Sequence, residues 1–267
     1  MIYTFYTAKK IRRNEMKDPF SMEGQVALVT GGGSGLGFGI AKRFVEAGAK
    51  VVIVGRRAEV LEEARQRLGE RCFARPFDVT KKEELAGLVA DVESNVGPLT
   101  TLVNCAGAHL KKRATEVSDE EFLKILDVHV LSVFALSREA LKVLLPRRRG
   151  SISLISSMTA IMGMEMVVAY STAKAAVNGM MRALIADASA SGIRVNAIAP
   201  GWIDTPMLHK AIDNDEPRRS KILARIPTRT FGRVEDIGCA AHYLASDAGA
   251  YVNGVFLPVD AGAAGAF

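Results

Sequence analysis

Cysteine, tryptophan and long apolar runs are all scarce in this chain of 267 residues. Its three cysteines, Cys72, Cys105 and Cys239, are odd in number and widely spaced, which suits neither a disulfide framework nor a zinc cluster. A reducing, cytoplasmic setting without a bound metal is therefore expected. No apolar stretch approaches the roughly 20 residues that a helix needs to span a bilayer, so no membrane role is expected. His109, His209 and His242 have no metal-ligand spacing and read as ordinary polar side chains.

Charge is present but unorganised. Lysine and arginine number 35 against 29 acidic residues, a formal net charge of +6. Part of that excess lies in Met1 to Lys17, where a short aromatic stretch precedes Lys9, Lys10, Arg12, Arg13 and Lys17. A secretory signal has the reverse order, charges first and a longer apolar run after them. Residues 1–19 read as a disordered basic tail, or as translation upstream of a true start at Met16. The rival reading is a basic arm for nucleic acid. Arg147, Arg148 and Arg149 read as a solvated turn before a strand. The excess is neither gathered on one helix nor interleaved with aromatics, so nucleic acid is not an expected partner.

What is abundant is alternation. Short apolar runs at Val26–Thr30, Val51–Val54, Cys72–Phe77, Thr100–Asn104, Ser151–Ser156, Arg194–Ile198 and Val255–Val259 predict strands. Several are apolar at successive positions, as in strands buried on both faces. Between them lie helical patterns at Gly37–Ala47, Ala58–Leu68, Lys81–Ser94, Glu120–Leu145, Tyr170–Ser189 and Val234–Ala245. Such alternation predicts right-handed βαβ units over residues 20–267, with no break into two domains. The fold class is α/β: a doubly wound parallel sheet of about seven strands with helices on both faces. One irregular stretch, Gly201 to Gly232, reads as a long loop with a short helix inside it.

Directly after the first strand comes Thr30-Gly31-Gly32-Gly33-Ser34-Gly35-Leu36-Gly37, followed by a helix. Glycines there permit a tight turn and a close backbone approach to a pyrophosphate, whose charge a helix N-terminus favours. This is the strand–turn–helix context of a Rossmann dinucleotide site, although the spacing is T-G-x-x-x-G-x-G. At the end of the second strand, where an acid would hold an unmodified ribose, the chain has Gly55-Arg56-Arg57. Arginine attracts a 2′-phosphate, so NADP(H) is favoured. NAD(H) stays open, because Ser34 stands in the turn where a second basic residue is usual.

Tyr170-Ser171-Thr172-Ala173-Lys174 puts Tyr170 and Lys174 four residues apart, on one face of a helix. A phenol titrates near about 10, too high for efficient proton transfer at neutral pH. A lysine beside it, together with the positive nicotinamide of an oxidised cofactor, would stabilise the phenolate and lower that value. Taken with their surroundings, these residues resemble the short-chain dehydrogenase/reductase family from about Phe20 to Gly265. Thr30 to Gly37 resembles its cofactor turn, and Asp78-Val79 the acid-led pair beside the adenine. Asn104-Cys105-Ala106-Gly107 is similar to its N-N-A-G segment, and Pro200-Gly201-Trp202-Ile203-Asp204-Thr205 to its P-G-x-x-x-T stretch beside the nicotinamide. Ser157 stands thirteen residues before Tyr170, the family's spacing for its serine.

The resemblance implies that Ser157 binds the substrate oxygen, Tyr170 is the acid/base, and Lys174 holds the nicotinamide ribose and tunes Tyr170. Ser156 is the rival hydroxyl. Cofactor contacts are then expected at Thr30, Gly31, Gly33, Ser34, Gly35, Leu36, Gly37, Arg56, Arg57, Asp78, Val79, Asn104, Ala106 and Gly107, and again at Tyr170, Lys174, Pro200, Gly201, Ile203 and Thr205. A homotetramer or homodimer built through the two long helices around Glu120–Leu145 and Tyr170–Ser189 is also implied.

Two positions depart from the family. His129, in Leu126-Asp127-Val128-His129-Val130, replaces the asparagine that helps hold a relay water. Either His129 keeps that water site, partly through its backbone carbonyl, or it rewires the relay with a group that titrates near neutrality. Ala261, in Pro258-Val259-Asp260-Ala261-Gly262, replaces the first glycine of the usual pair.

Substrate choice is expected to rest on two basic segments. One holds Trp202, Met207, His209, Lys210, Arg218, Arg219 and Lys221; the other holds Lys111, Lys112 and Arg113. Their charge suits an anionic small molecule such as a sugar acid or an acyl-carrier thioester, or is merely solvated. Lys111–Arg113, Ile226–Arg229 and Tyr251–Gly254 resemble gluconate 5-dehydrogenase-like members. The alternatives are a 3-oxoacyl-carrier-protein reductase and a cofactor-binding regulator with impaired catalysis.

Overall fold

The computed structural model describes residues 18–266, so the basic segment Met1 to Lys17 lies outside it. Seven parallel strands form one sheet in the order β3-β2-β1-β4-β5-β6-β7. They are β1 (Val26–Thr30), β2 (Lys50–Gly55), β3 (Cys72–Pro76), β4 (Thr101–Asn104), β5 (Gly150–Ile155), β6 (Ile193–Pro200) and β7 (Phe256–Val259). Every residue of β1 and β4 is buried, the polar Thr30, Thr101 and Asn104 included, as in strands covered on both faces.

The helices are α1 (Gly35–Glu46), α2 (Ala58–Leu68), α3 (Leu85–Asn95), α4 (Asp119–Leu126), α5 (Ser132–Arg147), α6 (Val168–Ala188), α7 (Pro206–Ile212), α8 (Glu216–Arg225) and α9 (Val234–Ala245). On one face Leu28, Val52 and Ile152 pack with Leu88 of α3, Leu136 of α5 and Leu184 of α6. On the other, Ala27, Val29 and Ile53 pack with Ile40 and Phe44 of α1, Leu61 of α2 and Ile237 of α9. The fold is thus a doubly wound Rossmann sheet. Strand order reverses between β1 and β4, and ligands of such sheets bind in the crevice that opens there, beyond the carboxyl ends.

Three expectations need correction. The pattern over 120–145 is not one uniform helix. α4 and α5 are joined by a π-helical turn over Asp127–Leu131, in which the Ser132 amide donates to the Asp127 carbonyl. The Ser132 hydroxyl also donates to the Val128 carbonyl at 2.6 Å. Residues 201–232 hold two helices, because Pro206 and Pro217 stand in the first turns of α7 and α8, where a missing amide costs nothing. Finally, α9 packs beside α1, opposite α5 and α6, although β4 to β7 step in one direction. The last crossover therefore has the reverse hand of its neighbours. The excursion through α7 and α8 carries the chain over the carboxyl edge before it returns. No helix among the described residues is long and apolar enough to cross a membrane.

Candidate active site

A groove follows the carboxyl ends of β1, β2 and β4, and it is built around one hydroxyl. Thr30, at the end of β1, accepts from the amides of Cys105 at 2.9 Å and Ala106 at 3.0 Å. The glycine turn is thereby held against the turn after β4. Gly31 has φ of +71°, a conformation that side chains disfavour. A Cβ on Gly37 would stand 2.3 Å from the Gly31 carbonyl oxygen, so only glycine lets α1 start this close to the turn. Ser34 precedes α1 in extended conformation, and its side chain makes no cap hydrogen bond.

The far wall of this groove carries Arg56, Arg57, Asp78 and Val79; Ala106 and Gly107 close the near one. Neither arginine is ion-paired among the described residues. Asp78 accepts from the Thr80 amide at 3.0 Å and the Thr80 hydroxyl at 2.8 Å. Burial alone would raise its pKa, but those bonds and the Arg56 charge hold it below the usual carboxylate value. A helix N-terminus, a glycine turn and two uncommitted guanidiniums form a donor set that fits a phosphorylated dinucleotide.

The reacting groups lie at the end of β5 and in the first turns of α6. Ser156 is occupied: its hydroxyl donates to the Lys174 carbonyl at 3.2 Å. Ser157 instead accepts from the Thr159 amide at 3.1 Å and the Thr159 hydroxyl at 3.0 Å, and it lines one cavity with Tyr170, whose phenol its hydroxyl influences. Helical spacing stacks Lys174 on Tyr170, with Nζ 5.4 Å from the ring centroid. The same Nζ donates to the Ile155 carbonyl at 2.6 Å, which pins the lysine to the end of the sheet.

Burial dominates the titration of all these groups. It drives the Tyr170 phenol up to about 12 against the opposing influence of the Ser157 hydroxyl, and it lowers Lys174 to about 8. Desolvation is the largest influence on the phenol here. Cys105, also buried, is pushed up to about 12 and is no thiolate nucleophile.

His129 is buried on the other side of Tyr170, edge-on to its ring at 5.3 Å between centroids. Its Nε2 lies 2.7 Å from the Ala108 carbonyl oxygen and 3.1 Å from the Ala108 amide, while Nδ1 is buried without a partner. Burial, with the Lys174 charge second, pushes this imidazole down to about 3, so it is neutral at physiological pH. The side chain fills space that a Cβ on Gly107 would need, 2.6 Å from Cε1.

Not every expected residue reaches a cavity. Thr30, Gly37 and buried Asn104, whose amide donates to the Ser137 hydroxyl at 3.0 Å, shape the groove without lining it. Leu36, Pro200, Gly201, Ile203 and Thr205 line a second cavity together with Ser157 and Tyr170. Its outer walls are Met164, Trp202, Met207, Arg218 and Ile222. His109 also lines it, with its ring 5.4 Å from that of Tyr170, and burial lowers its pKa. The sequence had this histidine as an ordinary polar residue. Its place two residues beyond Gly107 was the available signal.

The basic segments sort themselves by pairing. Lys111 reaches Asp215 at 3.1 Å, Lys112 Glu121 at 2.6 Å and Lys221 Glu165 at 3.1 Å. His209 is exposed and bridges Asp204 and Asp213 at 2.7 and 2.9 Å.

A crevice at the switch point of a parallel sheet, with a serine, tyrosine and lysine converging beside it, defines a nicotinamide-dependent oxidoreductase site. The chain belongs to the short-chain dehydrogenase/reductase family, and it is an oxidoreductase of the class that acts on CH–OH groups. A family model described as enoyl-(acyl carrier protein) reductase matches residues 31–264. The chain is 37% identical over 249 residues to 2-dehydro-3-deoxy-D-gluconate 5-dehydrogenase of Bacillus subtilis, covering 92% of this chain and 97% of the relative. It is 33% identical over 250 residues to 5-keto-D-gluconate 5-reductase of Escherichia coli, covering 92% and 98%. The crystal structure of a gluconate 5-dehydrogenase from Burkholderia cenocepacia, in complex with NADP and tartrate, superposes with a TM-score of 0.88. That structure is 29% identical, and the match covers 94% of this chain and 99% of the other.

Proposed function

We propose that this protein is an NADP(H)-dependent sugar-acid dehydrogenase, interconverting a secondary alcohol and a ketone of a gluconate-type substrate. One observation carries the reading: Ser157 and Tyr170, with Lys174 buried against Tyr170, open onto one cavity beside a groove walled by Arg56 and Arg57, which have no ion pair among the described residues. In this reading Ser34, Arg56 and Arg57 receive the phosphates. Asp78 and Val79 flank the adenine, and Ile203 and Thr205 flank the nicotinamide. The bound nicotinamide nucleotide supplies or accepts the hydride.

Ser157, oriented by Thr159, hydrogen-bonds the substrate oxygen, and Tyr170 gives its proton to that oxygen during reduction or takes it during oxidation. A phenol held near 12 is fully protonated at neutral pH, which suits the acid role. Lys174, a cation below about pH 8, steadies the phenolate left behind. His129 stays neutral and holds the 107–109 turn against Tyr170. The molecule is further proposed to work as a homo-oligomer through α4 and α5. Leu123 of α4, Leu131 of the turn between them and Phe134 of α5 are 61%, 50% and 45% exposed, more apolar surface than an isolated helix pair should present to water.

Parallel fluorescence titrations with NADPH and NADH test the cofactor assignment. NADPH is expected to bind more tightly, and Arg56→Ala to weaken it about 10- to 100-fold while sparing NADH, as loss of a charge-assisted phosphate contact predicts. Equal or tighter NADH binding would overturn the phosphate assignment. NADPH binding without oxidation of D-gluconate or reduction of its 5-keto form would favour a non-catalytic or differently fed protein. Tyr170→Phe should lower turnover about 10²- to 10⁴-fold with NADPH affinity retained.

A further inference from the structure

The cavity that holds Ser157 and Tyr170 has one cation in its wall and, among the described residues, no aspartate or glutamate. That cation is Arg218, half-buried in the first turn of α8. The carboxylates nearest to it are engaged elsewhere. Asp215 accepts the Arg218 amide at 3.1 Å, but its other oxygen is ion-paired with Lys111. Glu165 is taken by Lys221. Among the described residues the one hydrogen-bonding contact of the guanidinium is to the Met166 sulfur, 4.0 Å from one terminal nitrogen, and its Nε is buried without a partner. Around it stand Met164, Trp202 and Ile222. A guanidinium is always charged, carries five donors in a planar fork, and loses free energy when buried without acceptors. A carboxylate on a ligand in this cavity would meet that need with two parallel hydrogen bonds.

We infer that Arg218 is the specificity residue of the site, binding the substrate's carboxylate while the reacting carbon lies against Ser157 and Tyr170. The assignment rests on the sugar-acid reading above and sharpens it. Of the many basic residues in the two expected specificity segments, one does the recognition. The rest are tied up in ion pairs or lie outside the cavity wall. Selectivity for hydroxy acids over neutral polyols of equal length then follows from the one guanidinium in the cavity wall.

The test is a binding measurement that does not depend on turnover: titration of the enzyme–NADPH complex with D-gluconate, and separately with D-glucitol, followed by NADPH fluorescence. The wild type should bind D-gluconate about tenfold or more tightly than D-glucitol. Arg218→Gln should weaken D-gluconate about 10- to 100-fold while leaving NADPH and D-glucitol unchanged, and Arg218→Lys should restore part of the loss, charge without the fork. Retained NADPH binding shows that each variant is folded. An unaltered D-gluconate affinity in Arg218→Gln overturns the assignment alone, as does a wild type indifferent between acid and polyol. Failure of the wild type to bind NADPH overturns the functional reading and the assignment with it.

Discussion

His129 stands where the family has an asparagine, and its surroundings decide what it can do. The imidazole is buried and titrates near 3, far below the roughly 6.5 of a solvated histidine. Between those values the unfolded chain binds one more proton than the native one, so native stability falls as pH falls through this window. His129→Asn should flatten that slope, which for one group reaches about 1.4 kcal/mol per pH unit, and denaturant titrations at pH 4 to 7 would read it. The same substitution should leave the pH–rate profile between pH 6 and 8 unchanged. A moved acid limb would mean that His129 titrates in turnover after all. Lys174 gives the alkaline limb: its cation is lost above about pH 8, and the rate of carbonyl reduction should fall there.

At the scale of elements, the glycine turn makes the sharpest prediction. Gly37→Ala places a methyl 2.3 Å from the Gly31 carbonyl oxygen, an approach that only movement of α1 can relieve. NADPH affinity should drop by about tenfold or more, and thermal melting should come several degrees earlier, as for a backbone clash of about 1–3 kcal/mol. Gly87→Ala is the counter-experiment. That residue is exposed within α3 with nothing near its Cβ direction, so alanine should stabilise by about 0.5–1 kcal/mol.

Elements were legible in the sequence where two signals agreed. Val26–Thr30, Ala58–Leu68 and Val234–Ala245 coincide with observed elements because apolar period and flanking turn residues mark the same ends. The Tyr170–Lys174 face was readable for the same reason. Local period fixes it, and α6 begins at Val168. Residues 206–225 were less so, since prolines and an Asp-Asn-Asp run look like breakers until their N-terminal positions are known. The π turn at Asp127–Leu131, the hand of the last crossover and the nearness of His109 to Tyr170 depend on long-range packing, which no local pattern records. Ala261, flagged as a lost glycine, does occupy a left-handed position with φ of +52°.

For the molecule as a whole, the exposed apolar side chains of α4 and α5 lead to an expectation about size in solution. Sedimentation equilibrium should give two or four times the chain mass of 28.7 kDa. Phe134→Glu should shift the distribution toward the monomer with the far-ultraviolet circular dichroism spectrum intact. A monomeric wild type would show that this face has another purpose.

In the proposed reading the proton-transfer residues Ser157, Tyr170 and Lys174 sit at the end of β5 and on α6, locked into the sheet, whereas Trp202, Arg218 and Ile222 belong to the helical excursion between β6 and α9. Reactivity and taste are thus written on different stretches of chain. Drift in the excursion can re-aim the enzyme from one hydroxy compound to another without disturbing the engine beneath it. Grafting a relative's α7–α8 segment should therefore transplant preference while the catalytic apparatus carries on unaltered.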